Sequence, residues 1–207
     1  ENAPPGSVVL REHWEEALPD LSAFRNEILN LYDPDTPHKV RLLASTLSTG
    51  DYLVHFSNRL YGTIPRLPDR YPFSREYYRL LFNGGLGYEL VEFETSYPEF
   101  FGVSLVDETF ARPRLPEPAP LRSFEPSAVS LDLGFADESF SVYDHPKVMI
   151  FQNVRHHDPE VLRRAILDAA PVQPPGELDD GQTVGLLLSP EDAAAQQAGG
   201  TLSSIVR

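Results

Sequence analysis

Three short polar stretches carry the side chains best suited to chemistry, and each follows an apolar run of strand length. Glu12-His13-Trp14 follows the run at 7–10, Ser57-Asn58-Arg59 follows 52–56, and Thr95-Ser96-Tyr97 closes the run that begins at Tyr88. If these three strands run parallel, all three stretches share one sheet edge, the edge at which open α/β sheets bind ligands. A carboxylate, an aromatic plate, an amide and a guanidinium together suit a polyol or a sugar phosphate. Arg66 and Arg70 stand in the proline-punctuated loop after Arg59 and could hold a phosphate or a lipid headgroup. The candidate substrate-binding set is therefore Glu12, His13, Trp14, Asn58, Arg59, Arg66 and Arg70. Each has a plainer reading. Arg59 could pair with Glu12 as a structural ion pair with Trp14 capping the core, and Arg66 and Arg70 could pair with Asp69 and nearby acids.

Other chemically suggestive residues carry less. Asp144-His145 sits between two strand-like runs, where an aspartate most often bonds the backbone of its own turn. His156-His157 is a vicinal pair, and adjacent side chains in extended chain face opposite ways. His13, His38 and His55 match no metal-ligand spacing. Gly84, Gly85 and Gly87 come after a helix and before a strand, the reverse of a phosphate-binding glycine loop, so they read as a helix C-cap. Gly62, beside Tyr61, is expected to need an unusual backbone angle. No catalytic residue, metal site or cofactor motif is assigned.

The elements that would position the binding set can be taken in order. A strand at 7–10 is followed by helical turns within 15–31, where Leu21, Phe24, Ile28 and Leu31 recur at a spacing of three to four. Thr36 and Pro37 read as N-cap and first-turn proline of a helix at 38–48 with Val40, Leu43, Ala44 and Leu47 on one face, closed by Gly50. A strand at 52–56, a loop with Pro65, Pro68 and Pro72, a helix at 75–83 after Ser74, and a strand at 88–95 form the central unit. Residues 111–126 hold five prolines and read as an extended surface loop. Runs at 140–143 and 147–153 suggest a hairpin, and Asp158-Pro159 starts a helix at 160–170. The order implies an α/β fold: a three-layer sandwich with a small, mainly parallel sheet, an antiparallel edge hairpin and long Pro-rich loops. Residues 1–170 read as the α/β domain. Residues 171–207 read as a Pro/Gly-rich extension, with a last strand at 183–188 and a short helix at 190–198.

Composition bounds the function. The chain has 207 residues, 41% hydrophobic, enough for one sizeable core. A net charge of −14 argues against binding nucleic acid, which needs clustered Lys and Arg, and against anionic lipid surfaces. Cysteine is absent, which excludes disulfides and thiol chemistry. No run approaches the ~20 apolar residues of a membrane span.

Several stretches together resemble a known family. They are Pro5-Gly6-Ser7-Val8 through Glu12-His13-Trp14 with Leu18-Pro19; Asp51-Tyr52 through Ser57-Asn58-Arg59-Leu60-Tyr61-Gly62; Ile64-Pro65-Arg66-Leu67-Pro68 with Tyr71-Pro72; Tyr77-Tyr78 with Leu80-Leu81-Phe82; Leu86-Gly87-Tyr88-Glu89 and Thr95-Ser96-Tyr97-Pro98; and Glu138-Ser139-Phe140 through Tyr143-Asp144-His145-Pro146-Lys147-Val148 with Ile150-Phe151. These look like the extramembrane domain of the YYY membrane proteins, large and very hydrophobic bacterial and archaeal proteins of uncharacterised function. That family is itself similar to the GT-C glycosyltransferases, which use polyprenyl-phosphate sugars. The stretch from Leu188-Ser189-Pro190 to Gly199-Gly200-Thr201 resembles the approach to a following membrane span. The resemblance covers most of the chain except 111–126. Tyr88 and Met149 depart from its pattern, where Phe and Leu or Val are usual. It implies an extracytoplasmic domain in the cell membrane that assists acceptor or substrate binding. Its implied partners are its own transmembrane domain and a sugar or polyprenyl-phosphate headgroup. The alternative is a non-catalytic structural or protein-interaction module. The GT-C catalytic carboxylate lies in a loop between membrane helices, so no catalytic residue carries over.

Overall fold

The computed structural model describes residues 3–12, 23–107, 110, 114–123, 129–134 and 145–170. The expected elements at 140–143 and beyond 170, and the proposed extension at 171–207, lie outside the described residues. Strands β1 (Val8–Glu12), β2 (Arg25–Leu29), β3 (Tyr52–His55), β4 (Tyr88–Glu94) and β8 (Val148–Asn153) form a five-stranded sheet in the order β2-β1-β3-β8-β4. β1 runs parallel to β2 and β3, whereas β8 is antiparallel to both β3 and β4. The carboxyl ends of β1, β3 and β4 therefore share one edge, as the sequence implied. The antiparallel member lies inside the sheet. With core residue Phe151 facing Leu53 and Leu90, and Met149 facing His55 and Phe93, across its two neighbours, β8 is too apolar to serve as an edge.

Helices α1 (Pro37–Thr49), α2 (Pro72–Phe82) and α3 (Pro159–Ala169) complete the α/β sandwich. Every sheet residue in the core cluster, including Leu10, Leu53, Phe151 and Leu90, lies on one face, and all three helices bury their apolar stripes there. No described helix supplies a layer on the other face, although Val9 and Val54 there are also buried. The helical spacing within 15–31 is overruled where the chain is described: residues 25–29 are strand β2. Pairing all five residues to β1 outweighs an apolar spacing of which Leu31 is buried and Ile28 exposed.

Local signals explain the remaining ends. Thr36 accepts from Lys39 N at 3.2 Å to cap α1, and Asp158 accepts from Glu160 N at 2.8 Å to cap α3. Helix α2 begins earlier than expected, at Pro72, and Ser74 is not its cap. Asp35 caps it from across the chain, accepting from Phe73 N at 2.6 Å and Ser74 N at 2.9 Å. At the other end Gly84 (φ +78°) bonds Leu81 O and Gly85 bonds Leu80 O, a Schellman motif, as the glycine order suggested. The Pro-rich segment is pinned to the body. Phe110, Leu115 and Leu121 enter the core, so apolar anchors override its composition.

A second sheet, β5 (Glu99–Phe100), β6 (Val103–Val106) and β7 (Ser130–Asp132), has an inverted polarity. Ser104 faces inward and is buried, while Val129, Leu131 and Phe100 are exposed. The β5–β6 turn uses Phe101 (φ +49°) and Gly102 (φ +78°), the paired positive angles of a type I′ hairpin.

Asp35 also holds the Lys39 ammonium at 2.8 Å, and that ammonium donates to Leu31 O, Asp33 O and Ser74 Oγ. Burial pushes the Lys39 pKa down, and Asp35 opposes the shift. Asp35→Ala would remove the cap of α2 and strand a buried cation. It is expected to cost about 3–5 kcal/mol in urea unfolding, and Asp35→Ala/Lys39→Met should recover much of that loss.

Candidate functional site

The alternation Val8, Leu10, Glu12 puts Glu12 on the core face at the carboxyl end of β1. Its side chain is 1% exposed. The Tyr78 hydroxyl of α2 donates to Glu12 Oε1 at 2.6 Å, and His55 Nδ1, at the end of the neighbouring β3, lies 3.2 Å from the same oxygen. His55 is fully buried, with the rings of Tyr61, Tyr78, Phe82 and Phe151 centred 5.7–6.2 Å from its own. Tyr77 stacks edge-on against Tyr78 at 5.0 Å. Burial pushes both hydroxyls well above the usual tyrosine range, and the Glu12 carboxylate adds to both shifts. A general acid or base must reach the proton it transfers. Buried among aromatic rings, Glu12, His55 and Tyr78 form a polar core node rather than an open catalytic set.

Outside that node, the loop between β3 and α2 holds Asn58, Arg59, Arg66 and Arg70 of the sequence-derived set. Leu60, Tyr61, Ile64 and Tyr71 are buried and fix its course. Gly62 N donates to Asn58 O at 2.7 Å, and a Cβ on Gly62 would sit 2.6 Å from that carbonyl. Glycine is needed there for close approach, since its φ is not among the positive ones, which corrects the expectation of an unusual angle. Asn58 is buried, Arg59 and Arg66 are half-buried, and Arg70 is exposed with its guanidinium 5.2 Å above the Tyr71 ring. His13 and Trp14 lie outside the described residues. Thr95 and Tyr97 are half-buried at the end of β4, where Lys147 Nζ stands 5.5 Å over the Tyr97 ring and bonds Asp107. Glu12 thus turns inward, while Asn58, Arg59, Arg66 and Arg70 follow one another along a single ordered loop at the shared strand edge.

Sequence reasoning missed His55, Tyr77 and Tyr78 as the companions of Glu12. The signal was present in the two-residue alternation from Leu53 to His55, which points both inward. Among the described residues no group of three or more His, Asp or Glu is placed to hold a metal ion. In comparisons with known proteins, no family model, no curated protein and no solved structure matches the chain.

Tyr78→Phe leaves the buried Glu12 oxygen without its donor and should destabilise the fold by about 1–3 kcal/mol in denaturant titration. Because folding raises the Tyr77, Tyr78 and Tyr88 pKa values, their stability contribution is complete below pH ~10 and lost as pH rises above it. In an absorbance titration these three of the nine tyrosines, together with Tyr97, whose pKa burial also raises, should ionise only as the circular-dichroism signal of the fold collapses.

Proposed function

We propose that this chain is the extramembrane domain of an integral membrane protein similar to the GT-C glycosyltransferases. On this reading it lies at the extracytoplasmic face and helps bind an anionic, lipid-linked sugar or its acceptor without performing bond chemistry itself. One observation carries the reading, the division of polar groups at the strand edge. The acid–base candidates Glu12, His55 and Tyr78 are sealed in the core, while Arg59, Arg66 and Arg70 succeed one another on the loop just beyond it. Arginines suit phosphate oxygens because the planar guanidinium offers paired donors, and a chain of net charge −14 would have few other places for an anion. The family resemblance supplies the membrane context. Among the described residues no helix is long and apolar enough to cross a membrane.

A second reading, a structural module seated on its own membrane portion, is favoured by the outward apolar face of the small sheet. Phe101 is 92% exposed beside Phe100, Val129 and Leu131. Exposed contiguous apolar surface of this kind marks interaction sites.

The two readings separate in the membrane-embedded protein that carries this domain. Arg59→Ala/Arg70→Ala should leave the fold intact and lower transfer from a polyprenyl-phosphate sugar by tenfold or more, the scale of one lost charge-assisted contact. Unchanged transfer would overturn the binding role. Loss of assembly on Phe100→Ser/Phe101→Ser with the arginines intact would favour the structural module.

A further inference from the structure

We propose that Lys147 and Asp107 are a modification site, at which the folded chain joins its own Lys147 Nζ to the Asp107 side-chain carbonyl in an intramolecular isopeptide bond. The bond ties the start of β8 to the end of β6. This goes beyond the binding role of the strand-edge loop and does not depend on it.

Lys147 stands immediately before β8 of the main sheet, and Asp107 immediately after β6 of the small sheet. Their side chains are 3% and 2% exposed. Lys147 Nζ lies 2.5 Å from Asp107 Oδ1 and 3.3 Å from the Asp107 backbone carbonyl oxygen, so the amine already rests against the carboxyl group that would acylate it. The Tyr97 ring walls one side, its centroid 5.5 Å from Nζ. Burial pushes the Lys147 pKa down and the Tyr97 pKa up, and in both it is the largest influence, so water reaches this place poorly. The carboxylates of Asp107, Asp132 and Glu117 oppose the Lys147 shift without reversing it.

Proximity and burial both favour condensation here. Reacting groups held in contact act at effective concentrations of about 10⁵–10⁸ M. A buried ion pair carries the desolvation cost of two charges, and closure replaces both with one neutral amide. The step balances within the pair and needs no co-reactant. A proton passes from the ammonium to the carboxylate, giving a neutral amine and a carboxylic acid. The amine lone pair attacks Cγ, the Nζ–Cγ bond forms, and the bond from Cγ to the hydroxyl breaks. The hydroxyl leaves with a second amine proton as water.

Lys39, the only other lysine, is held differently. Its ammonium donates to Leu31 O, Asp33 O and Ser74 Oγ as well as to Asp35, and Asp35 accepts from Phe73 N and Ser74 N. Those bonds favour the charged form of both groups, and condensation there would uncap α2. The chain has no cysteine, so no disulfide can fasten the small sheet. An amide between residues 40 positions apart would fasten it and close the loop that carries the Pro-rich segment.

Mass spectrometry of the folded 207-residue chain, denatured just before digestion, tests the bond. The intact chain should be lighter than its sequence by one water. Trypsin should fail to cut after Lys147 while cutting normally after Lys39, and one branched peptide should join residues 80–114 to residues 123–155. That peptide separates this bond from loss of water at any other residue. Lys147→Arg keeps the buried charge but has no amine to acylate, and Asp107→Ala removes the carboxyl group. Both variants should have their full mass and yield no branched peptide. An unaltered chain that is cut normally after Lys147 would overturn the proposal and leave a buried ion pair, whether or not either variant folds. A branched peptide that persists in either variant would overturn it as well.

Discussion

The carboxylate of Glu12 is the constraint around which the strand edge is built. A charge at 1% exposure must be met by donors of its own protein. The hydroxyl of Tyr78 donates to it from α2, and the imidazole of His55 stands 3.2 Å away at the end of β3. To deliver both, α2 must lie across the carboxyl ends of β1 and β3, and the loop joining β3 to α2 is held close beneath it. The aromatic rings around His55 keep water out, which strengthens the bonds that are made and raises the cost of losing one. The arginine-bearing loop owes its fixed course to this node as much as to its own prolines.

A second buried charge organises the opposite side of the same helices. Asp35 caps α2 from a distance, pairs with Lys39 of α1, and so ties two helices and the exit of β2 to one carboxylate. Lys147 and Asp107 do the same between the main sheet and the segment leaving β6, both nearly inaccessible. Buried pairs of this kind add little net stability over apolar substitutes, but they penalise every arrangement that separates the partners. In a chain so acidic overall, both lysines are committed to such buried pairs.

Much of the framework was legible in the sequence because its signals are local. Thr36-Pro37 and Asp158-Pro159 announce two helices, the glycines after Asn83 announce a Schellman end, and the apolar runs at Tyr52, Tyr88 and Val148 announce strands. Each depends on the geometry of a few neighbouring residues. The candidate site was legible in part. The loop arginines and Asn58 stand at the edge the strand order implied, while Glu12 turns inward. A polar residue just past a strand looks the same in sequence whether it meets solvent or a buried tyrosine supplied by a helix more than sixty residues later.

The sequence by itself determined the secondary structure wherever caps, turn residues and apolar periodicity agreed, and it determined the α/β class. The tertiary structure alone decided three matters. It made residues 25–29 a strand, because pairing with β1 outweighs an ambiguous apolar spacing. It placed β8 inside the sheet, because a strand apolar toward both neighbours gains most when both sides are paired. It also settled which charges are buried, because a carboxylate or ammonium enters the core only where partners from distant segments converge to meet it.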